Sequence, residues 1–381
     1  MKIQRIDVFQ KTYTMAAGKF VISGGKVATS QDSTIVRIET DNGLVGWGEQ
    51  CVFSPGYLIA HGEGARAALT LLAPAVIGMD PRTPELIYEV MERTMKGHYY
   101  AKSAIDIACW DLFGKATQMQ LSDLLGGTHR TQIPLYAPIS MASPEEMRDD
   151  CAKWKTLGYT RFQMKVGGDY ETDLKRVELC LSVIDGSERV IFDANGNWTQ
   201  HEAVQIVAAL DGLKIFVEQP CATMEESARV RERARHPFVL DESLLTNADI
   251  LRAFELKAMD AVMLKISRFG GITPIKKARD LSISLGLGVT IEDSGGGDII
   301  TAAMAHLSAS TPERFFVNGF FTGSMVKERV SDWACRNSGG FGELPTGTGL
   351  GITVDEEILG SAIATYRELQ KERDRGLSHR M

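Results

Sequence analysis

The sequence predicts an α/β protein in which a small α+β domain precedes a parallel barrel of the TIM type. Two observations predict this fold class. Short apolar runs recur from residue 133 to residue 320 at intervals of roughly 25 residues, and amphipathic helical segments separate them. The first 125 residues begin instead with strand-like alternation and continue with helical periodicity, which is typical of an α+β unit.

The N-terminal domain is predicted over residues 1–125, completed by a C-terminal segment at about 347–381. Alternating apolar residues flank Asp41-Asn42-Gly43, a favoured hairpin turn, so an antiparallel sheet is expected before Gln50. Helical periodicity then extends from Gly64 to about Leu125. The C-terminal segment is expected either to fold back over this domain or to extend into solvent.

The barrel is predicted over residues 126–346. Its strands are the apolar runs IPLYAPI, FQMKV, VIFDAN, IFVEQP, FVLDES, AVMLKIS, VTIED and FFVNGF. Helical segments such as EEMRDDCAKWKTLG separate them, as βα units require. An open, doubly wound sheet is the competing arrangement. The near-equal units, and a first strand that lacks a following GxGxxG motif, favour the barrel.

A polar or ionisable residue recurs at the end of seven consecutive strands. These residues are Lys165, Asp193, Glu218, Asp241, Lys265, Asp293 and Asn318. Because the C-terminal ends of barrel strands face the active site, we expect these side chains to meet there. A single Asp at such a junction is often only a helix N-cap. That role does not explain Lys165 or Lys265, since a cation opposes the helix dipole at this end.

Asp193, Glu218 and Asp241 are predicted to bind a divalent cation. Carboxylates at adjacent strand ends would repel one another by roughly 4 kcal/mol per close pair at an effective dielectric constant of about 20. An all-oxygen ligand set without His or Cys suits Mg²⁺ first and Mn²⁺ second. A metal-dependent aldolase or sugar isomerase would instead use a histidine ligand or a phosphate-binding loop, for which DSGGGDI is a candidate.

Lys165 and Lys265 are predicted to be the catalytic residues. They end the second and the sixth strands, so they would approach a bound substrate from opposite sides of the barrel. Next to a divalent cation a partly buried lysine has a lowered pKa, and its neutral amine becomes a usable base. The alternative is that each lysine only forms an ion pair with a barrel carboxylate.

Charge and composition argue against several other classes of protein. A net charge of −7 without a long basic run excludes a nucleic-acid surface. The N-terminal residues lack the pattern of a signal peptide, and no apolar run is long enough for a membrane span, so neither export nor insertion is expected. The six cysteines show no framework spacing, which indicates the reducing cytoplasm.

The chain resembles the enolase superfamily, and within it the muconate lactonizing enzyme subgroup. The segments that carry the resemblance are GLVGWGE, AKSAIDIACWDLFGK, DAN, EQP, DES and LKIS. The resemblance implies a (β/α)7β barrel with an N-terminal capping domain, a homo-oligomer, and Mg²⁺-dependent removal of the proton alpha to a carboxylate of a small substrate, through an enediolate. The mandelate racemase branch differs, because it uses a histidine base on the seventh strand, where this chain has IEDS.

Further segments resemble superfamily members that act on proline derivatives. They are GHYYAKSAIDIA, FQMKVGGD, EQPCATMEE, EDSGGGDIITAA and ASTPERF. They are similar to cis-3-hydroxy-L-proline dehydratases and to the 2-epimerases of proline betaine and hydroxyproline betaine, and the region from IEDS to ASTPE is nearer the dehydratases. The resemblance therefore implies a lyase, with an isomerase as the alternative. A muconate-type cycloisomerase or a non-catalytic enolase-like protein is a more distant alternative.

The same resemblance implies a set of substrate contacts. Tyr57 and residues 98–100 would close over the substrate, and Asp293 would either pair with a substrate ammonium group or orient Lys265. Gln163 is expected near the substrate carboxylate, where the subgroup usually has the first lysine of Lys-x-Lys. Gly295 stands where a tryptophan is expected in the proline-specific group.

Overall fold

The N-terminal part of the computed structural model, which describes residues 1–367, is an antiparallel sheet covered by helices. Its strands are β1 (Ile3–Thr14), β2 (Phe20–Ile22), β3 (Lys26–Ala28), β4 (Ser30–Thr40) and β5 (Val45–Val52). Its helices are α1 (Gly62–Val76), α2 (Pro84–Thr94), α3 (Tyr99–Thr117) and α4 (Leu121–Leu124). Strand β4 pairs with both β1 and β5, and Gly43 in the turn before β5 has a φ of 82°. The predicted hairpin is confirmed.

Helix α3 lies directly on strand β5, and two glycines permit the contact. A Cβ atom on Gly46 would lie 2.5 Å from the carbonyl oxygen of Ala108, and one on Gly48 would lie 1.9 Å from that of Ala104. Both obstacles are backbone atoms of a helix, which cannot move aside as a flexible side chain can. Gly46 and Gly48 are therefore required by packing and not by an unusual backbone conformation.

The substitution Gly48→Ala is expected to lower the free energy of unfolding by at least about 3 kcal/mol, because the added methyl group overlaps the backbone of α3. Urea unfolding followed by circular dichroism measures this loss. Gly56→Ala is the matched control, since the nearest atom to its added Cβ, the Ser54 Oγ, lies 3.7 Å away. Equal stability of the two variants would contradict this account of the α3–β5 contact.

The second part of the chain is a parallel barrel. After β6 (Gln132–Pro134) its strands are β7 (Ala137–Ile139), β8 (Arg161–Lys165), β9 (Arg189–Asp193), β10 (Ile215–Glu218), β11 (Phe238–Leu240), β12 (Ala261–Lys265), β13 (Gly288–Glu292) and β14 (Phe316–Gly319). They pair in sequence order from β7 to β14. Leu135 bridges Gly319, and the Tyr136 N–H donates to the Gly319 carbonyl oxygen at 3.2 Å, so the first and last strands also meet.

Helices connect the eight barrel strands. They are α5 (Pro144–Thr156), α6 (Tyr170–Leu181), α7 (Gln200–Ala209), α8 (Met224–Arg231), α9 (Asn247–Glu255), α10 (Ile266–Phe269), α11 (Ile272–Ser284) and α12 (Asp298–Ala309). The short α10 and α11 share one crossover, so eight strands are joined by seven helical connections. This confirms the predicted (β/α)7β barrel beside an N-terminal capping domain.

The N-caps of helices α6 to α9 are not the residues that end the preceding strands, whereas Lys265 both ends β12 and stands at the N-cap position of α10, where its side chain makes no capping hydrogen bond. The N-caps of α6 to α9 are Asp169, Thr199, Thr223 and Thr246, each of which accepts a backbone N–H from the first turn of its helix. They follow the strand ends by several residues. The carboxylates of Asp193, Glu218 and Asp241 are therefore not needed to cap helices, which removes the simplest structural explanation for them.

The chain returns to the first domain after the barrel. The remaining elements are β15 (Asn337–Ser338), β16 (Phe341–Glu343), α13 (Glu356–Leu359) and β17 (Ala364–Arg367). Strand β17 pairs with β1 and completes a four-stranded sheet in the order β17-β1-β4-β5. Residues 368–381 of the segment predicted to complete this domain lie outside the described residues. Within residues 1–367, no helix has both the length and the apolar composition that crossing a bilayer requires.

Carboxylates of the capping domain bind backbone groups of the barrel. Glu49 on β5 accepts from the N–H groups of Gly297, at 2.9 Å, and Ile300, at 3.1 Å, at the start of α12. Asp106 on α3 accepts from the Thr273 N–H at 2.9 Å, at the start of α11. Two barrel helices are thus capped by the other domain, which fixes the position of that domain over the barrel.

Candidate active site

The predicted lysines and carboxylates meet at the C-terminal end of the barrel. Asp193 is the direct cross-strand partner of both Lys165 and Glu218, and Lys265 is the partner of Glu292. Neighbouring strands lie about 4.8 Å apart, so side chains at the same register position on one face are within contact distance. The sequence prediction that these side chains converge agrees with this geometry.

Two of the carboxylates are bound by donors from the neighbouring strand or loop. Asp193 is fully buried, contacts the Lys165 ammonium group and accepts from Asn195, at 2.7 Å from its backbone N–H and 2.9 Å from its Nδ2. Glu218 is also fully buried and accepts from the Gln163 Nε2 with both oxygens, at 2.9 and 3.2 Å. Gln163 therefore faces the predicted metal ligands.

The third carboxylate, Asp241, is surrounded by cationic and hydroxyl groups. Its Oδ2 accepts from the Lys265 Nζ at 2.7 Å and from the Tyr57 hydroxyl at 3.1 Å. Its Oδ1 contacts the guanidinium group of Arg268. Lys265 additionally donates to the Tyr57 hydroxyl oxygen at 2.8 Å and lies 3.0 Å from a carboxylate oxygen of Glu292. One lysine thus links the barrel to the loop that carries Tyr57.

The pKa values follow from burial and from this crowding of charges. Burial raises the pKa of Glu218, and repulsion by Asp193 and Asp241 raises it further. Burial also disfavours ionisation of Asp241, but Arg268 and Lys265 outweigh it and hold the pKa of that carboxyl below its usual value. Without a cation in the site, nearby carboxylates outweigh burial and raise the pKa of both lysines. Next to a divalent cation, the pKa of a buried lysine is instead predicted to be lowered.

The chemistry of Asp193, Glu218 and Asp241 fits a divalent cation. In residues 1–367 no three His, Cys, Asp or Glu side chains are arranged as a ready-made metal cage. Each of the three carboxylates is instead engaged by an ammonium, guanidinium or amide group. Burial, and then repulsion by Asp193 and Asp241, raise the pKa of Glu218, and a cation would relieve that repulsion. The role of these residues as metal ligands remains a prediction.

Two residues with a strained backbone fix the positions of these carboxylates. Asn195 has a φ of 45° and Gln219 a φ of 36°, a region that residues other than glycine rarely adopt. The buried Gln219 side chain accepts from the Asp241 N–H at 3.0 Å and donates to the Cys221 carbonyl oxygen at 2.9 Å. Gln219 thereby connects the ends of β10 and β11, which carry Glu218 and Asp241.

A small cavity, lined by both apolar and polar side chains, lies over the charged groups. Its lining includes Phe20, Ile22, Phe53, Tyr57, Tyr136, Phe320 and Met325, together with both lysines. The rings of Phe20, Phe53 and Tyr57 pack edge to face, and those of Tyr136 and Phe320 stack at 4.8 Å. The open volume is about 50 Å³, room for one or two water molecules. A substrate must therefore displace the direct lysine–carboxylate contacts.

The predicted substrate residues lie at different places in this site. Tyr57 and Gln163 line the cavity, as described above. Asp293 also lines it, but its two oxygens accept backbone N–H groups, from Ser267 at 2.8 Å and from Ser294 at 2.6 Å. Burial raises the pKa of Asp293 to about 6. The roles of all three in substrate binding remain predictions.

Residues 98–100 do not line this cavity. Tyr100 is buried, and its hydroxyl lies 3.2 Å from the Ser294 Oγ. His98 and Tyr99 line a separate cavity between the domains. The structure thus places Tyr57 against Lys265 and Asp241, and it does not place His98 or Tyr99 there.

The glycine-rich segment DSGGGDI is filled by the capping domain. A Cβ atom on Gly295 would lie 2.6 Å from the Gln31 Oε1, the same atom that accepts from the Gly296 N–H at 2.8 Å. Glu49 accepts from the next N–H, that of Gly297. The N–H groups of Gly296 and Gly297 are therefore already paired, and Gln31 occupies the space beside Gly295 where a larger side chain would lie.

Sequence reasoning missed three residues of the site. Glu292 contacts Lys265 and accepts from the Tyr136 hydroxyl, because strand β13 ends at Glu292, one residue earlier than predicted. Arg268 contacts Asp241 although only 3% of its surface is exposed. The sequence did contain a signal for Glu292, because Glu292 and Asp293 are adjacent acidic residues at the end of this strand. Successive side chains of a strand point to opposite faces, so only one of the two can point into the barrel from the strand. The positions of Arg268 and Tyr136 depend on tertiary folding.

Comparison with known proteins identifies similar chains over nearly the whole length. Residues 5–126 match the mandelate racemase / muconate lactonizing enzyme N-terminal domain, and residues 146–358 match the enolase C-terminal domain-like family. The chain is 43% identical to the cis-3-hydroxy-L-proline dehydratase of Roseibium aggregatum over 96% of this chain and 100% of the relative. It is 30% identical to the N-succinyl-L-Arg/Lys racemase of Bacillus cereus, over 81% of this chain and 85% of that protein.

Solved structures show the same fold. A member of the enolase superfamily from Roseovarius nubinhibens, crystallised with magnesium, superposes with a TM-score of 0.89 at 35% identity and covers 96% of this chain and 100% of its own. The Bacillus cereus N-succinyl Arg/Lys racemase superposes with a TM-score of 0.90 at 27% identity, over 96% of this chain and 99% of its own.

Proposed function

Because the chain belongs to the mandelate racemase / muconate lactonizing enzyme family of the enolase superfamily, we propose that it is the enzyme that dehydrates cis-3-hydroxy-L-proline. The product is a pyrroline-2-carboxylate. The observation that carries the proposal is the pair of buried lysines, Lys165 and Lys265, on either side of three carboxylates and both lining one small cavity. The 43% identity to a cis-3-hydroxy-L-proline dehydratase supports this choice of substrate.

Mg²⁺ held by Asp193, Glu218 and Asp241 would stabilise the negative charge that develops on the substrate carboxylate as the alpha proton leaves. Mn²⁺ is the proposed substitute. A lysine whose carboxylate partners are engaged elsewhere is free to take that proton as the neutral amine. The aromatic side chains around the cavity exclude bulk water, so the lysine keeps its orientation toward the alpha carbon.

Dehydration is possible because the substrate carries a hydroxyl group on its beta carbon, C3, that can leave as water. One lysine removes the alpha proton of cis-3-hydroxy-L-proline, which leaves the electron pair on the substrate as an enediolate, and this pair then forms the C2–C3 double bond as the C3–O bond breaks. The hydroxyl leaves as water with a proton supplied by an ammonium group or the Tyr57 hydroxyl. The resulting enamine takes up a proton at C3 and loses one from nitrogen, which gives the cyclic imine.

A 2-epimerase of proline betaine or hydroxyproline betaine is the second candidate. The lysines end β8 and β12, with three strands between them, so they can address opposite faces of an alpha carbon. If the second lysine returns a proton to the other face, the product is the epimer. The 30% identity to an N-succinyl-L-Arg/Lys racemase supports the general ability of this fold to epimerise.

Nuclear magnetic resonance and mass spectrometry of the purified protein in D₂O with Mg²⁺ test the proposal. The expected result is loss of water from cis-3-hydroxy-L-proline and no turnover of proline betaine, with activity lost in EDTA and restored by Mg²⁺. Alpha-deuterium with inverted configuration on the betaine would favour the epimerase instead. No exchange on either compound or on L-proline would overturn both assignments.

Tyr57→Phe is expected to lower kcat/KM for the dehydration by about tenfold to a hundredfold. The change removes a hydroxyl that bonds both Lys265 and Asp241, and hydrogen bonds to charged groups contribute about 1.5 to 3 kcal/mol. The phenylalanine ring keeps the packing against Phe53, so the variant should still fold, with a melting temperature lowered by no more than a few degrees for the lost hydrogen bonds. Tyr366→Phe, on the distant strand β17, is the matched control. Steady-state kinetics of the unmodified protein and the two variants measure kcat/KM for dehydration. Unchanged activity of Tyr57→Phe would contradict a role for the Tyr57 hydroxyl in the reaction.

A further inference from the structure

Glu292 is a buried carboxylate of the catalytic cavity, and the proposed dehydration gives it no role. It ends strand β13 and is the direct cross-strand partner of Lys265, so the two side chains point to the same face of the sheet. One of its oxygens lies 3.0 Å from the Lys265 Nζ, and the other accepts from the Tyr136 hydroxyl. The Tyr136 ring stacks on Phe320 with centroids 4.8 Å apart, which holds the hydroxyl in place. Glu292 is therefore a fixed negative charge in the wall of this cavity.

A substrate of the proline type brings a positive charge into the cavity. Its ring nitrogen is a secondary ammonium group with two N–H donors, bonded to the same carbon as the carboxylate. Burying these donors without an acceptor would be costly. Among the described residues that line the cavity, the carboxylates are those of Glu292 and Asp293. The partner of the ammonium group is therefore to be sought between these two.

The hydrogen bonds of the two carboxylates favour Glu292. Both oxygens of Asp293 accept backbone N–H groups, those of Ser267 and Ser294, which fix this carboxylate against the chain around it. Glu292 contacts only side chains among the described residues, and its contact with Lys265 is one that a substrate must displace. The oxygen released by Lys265 is then available to a donor of the substrate.

The spacing of the charged groups also suits an alpha-amino acid. The Lys265 Nζ lies 3.0 Å from Glu292 and 2.7 Å from the predicted metal ligand Asp241, so one ammonium group separates the two carboxylates. A substrate carboxylate held at the predicted metal site would therefore bring the neighbouring ring nitrogen within reach of Glu292. The same arrangement would free Lys265 from both of its carboxylate partners.

We propose that Glu292, oriented by the Tyr136 hydroxyl, binds the ring ammonium group of the substrate and so selects a free secondary amino acid. The inference rests on the proposed function. It gives Glu292 one of the two roles that the family resemblance implied for Asp293. The quaternary nitrogen of a betaine carries no N–H and makes no such hydrogen bond, so this contact favours hydroxyproline over a betaine.

Isothermal titration calorimetry of the Mg²⁺-loaded protein tests the proposal with two probes that cannot lose water. L-proline carries the ring ammonium group without a 3-hydroxyl, and cyclopentanecarboxylate has the five-membered ring and carboxylate without the nitrogen. Glu292→Gln should weaken L-proline binding at least about tenfold, because it removes a charge-assisted hydrogen bond. Cyclopentanecarboxylate should bind this variant equally well or more tightly, since a repulsion between two carboxylates is also removed. The ratio of the two dissociation constants is compared because a general change in the cavity affects both probes.

Three further variants accompany Glu292→Gln. Tyr136→Phe keeps the stacking on Phe320 and the Glu292 charge, and it should reduce the preference for L-proline less than Glu292→Gln does. Asp293→Asn neutralises the other carboxylate of the cavity and should retain most of the preference. Glu232→Gln, at the exposed C-terminal end of α8, is the matched control and should bind both probes as the unmodified protein does. Circular dichroism checks the fold, and Tyr136→Phe decides if Glu292→Gln does not fold.

Two results would overturn the inference alone. In one, the preference for L-proline is unchanged in Glu292→Gln and Tyr136→Phe, or is lost in Asp293→Asn instead. In the other, the unmodified protein releases water from cis-3-hydroxy-L-proline but binds L-proline no more tightly than cyclopentanecarboxylate. If the unmodified protein neither prefers L-proline nor releases water from cis-3-hydroxy-L-proline, the proposed function fails together with the inference.

Discussion

Replacing either Lys165 or Lys265 by alanine is expected to lower kcat/KM for dehydration of cis-3-hydroxy-L-proline at least about 10³-fold. Acid–base catalysis by one positioned group accounts for about 10² to 10⁴ in rate, and no other described amine lines the catalytic cavity. Neither variant should unfold. Asp193 keeps its hydrogen bonds from Asn195, and Asp241 keeps its contact with Arg268.

The two variants should differ in isotope exchange. The variant that lacks the base should show neither dehydration nor incorporation of alpha-deuterium from D₂O. The variant that lacks only the acid should still exchange the alpha proton while it no longer releases water. Lys153→Ala, on the outside of the barrel, is the matched control and should behave as the unmodified protein. Retention of more than a tenth of the activity in both alanine variants would refute the assignment of these lysines.

Glu218→Gln is expected to separate metal binding from stability. In the unmodified protein Glu218 is fully buried between Asp193 and Asp241, and its raised pKa shows that the ionised form is unfavourable there. A neutral glutamine removes that repulsion and can still accept from Gln163. In EDTA the variant should therefore melt at the same temperature as the unmodified protein or above it.

With saturating Mg²⁺ the unmodified protein should instead melt at a higher temperature than the Glu218→Gln variant. A ligand present at a hundred times its Kd stabilises a protein by about 2.7 kcal/mol, so the unmodified protein should gain several degrees in melting temperature. The variant, which lacks one of three anionic ligands, should gain little and should lose dehydratase activity. Differential scanning calorimetry with and without Mg²⁺ measures both effects. Glu232→Gln, at the exposed C-terminal end of α8, is the matched control. An equal gain from Mg²⁺ in the variant would mean that Glu218 is not a ligand.

Periodicity was sufficient to predict the barrel because seven of its eight strands are short apolar runs with a polar or ionisable residue at the C-terminal end. Seven predicted runs each correspond to one barrel strand, whereas IPLYAPI divides into β6, which pairs with β16, and the barrel strand β7; the seven crossovers follow from the strand order. The parallel register then places strand ends side by side, which is why Lys165, Asp193 and Glu218 could be grouped without any three-dimensional information.

The remaining parts of the site could not be predicted because they depend on contacts between distant segments. Tyr136 reaches Glu292 across 156 positions in the sequence. Arg268 shows the same limit, since an arginine after a strand is ordinarily exposed, and only the packing of α10 beneath the capping domain buries it. The choice between Glu292 and Asp293 depended on where one strand ends.

The helix caps supplied by Glu49 and Asp106 have a consequence for exchanging domains between relatives. A barrel grafted beneath a foreign capping domain would begin α12 and α11 without acceptors for their first N–H groups, at a cost of about 0.5 to 2 kcal/mol each. A productive chimera must therefore transplant Glu49 together with Gly297, and Asp106 together with Thr273. The boundary at which the two domains can be exchanged therefore does not coincide with the linker between them, because the capping domain supplies the N-terminal acceptors of α11 and α12.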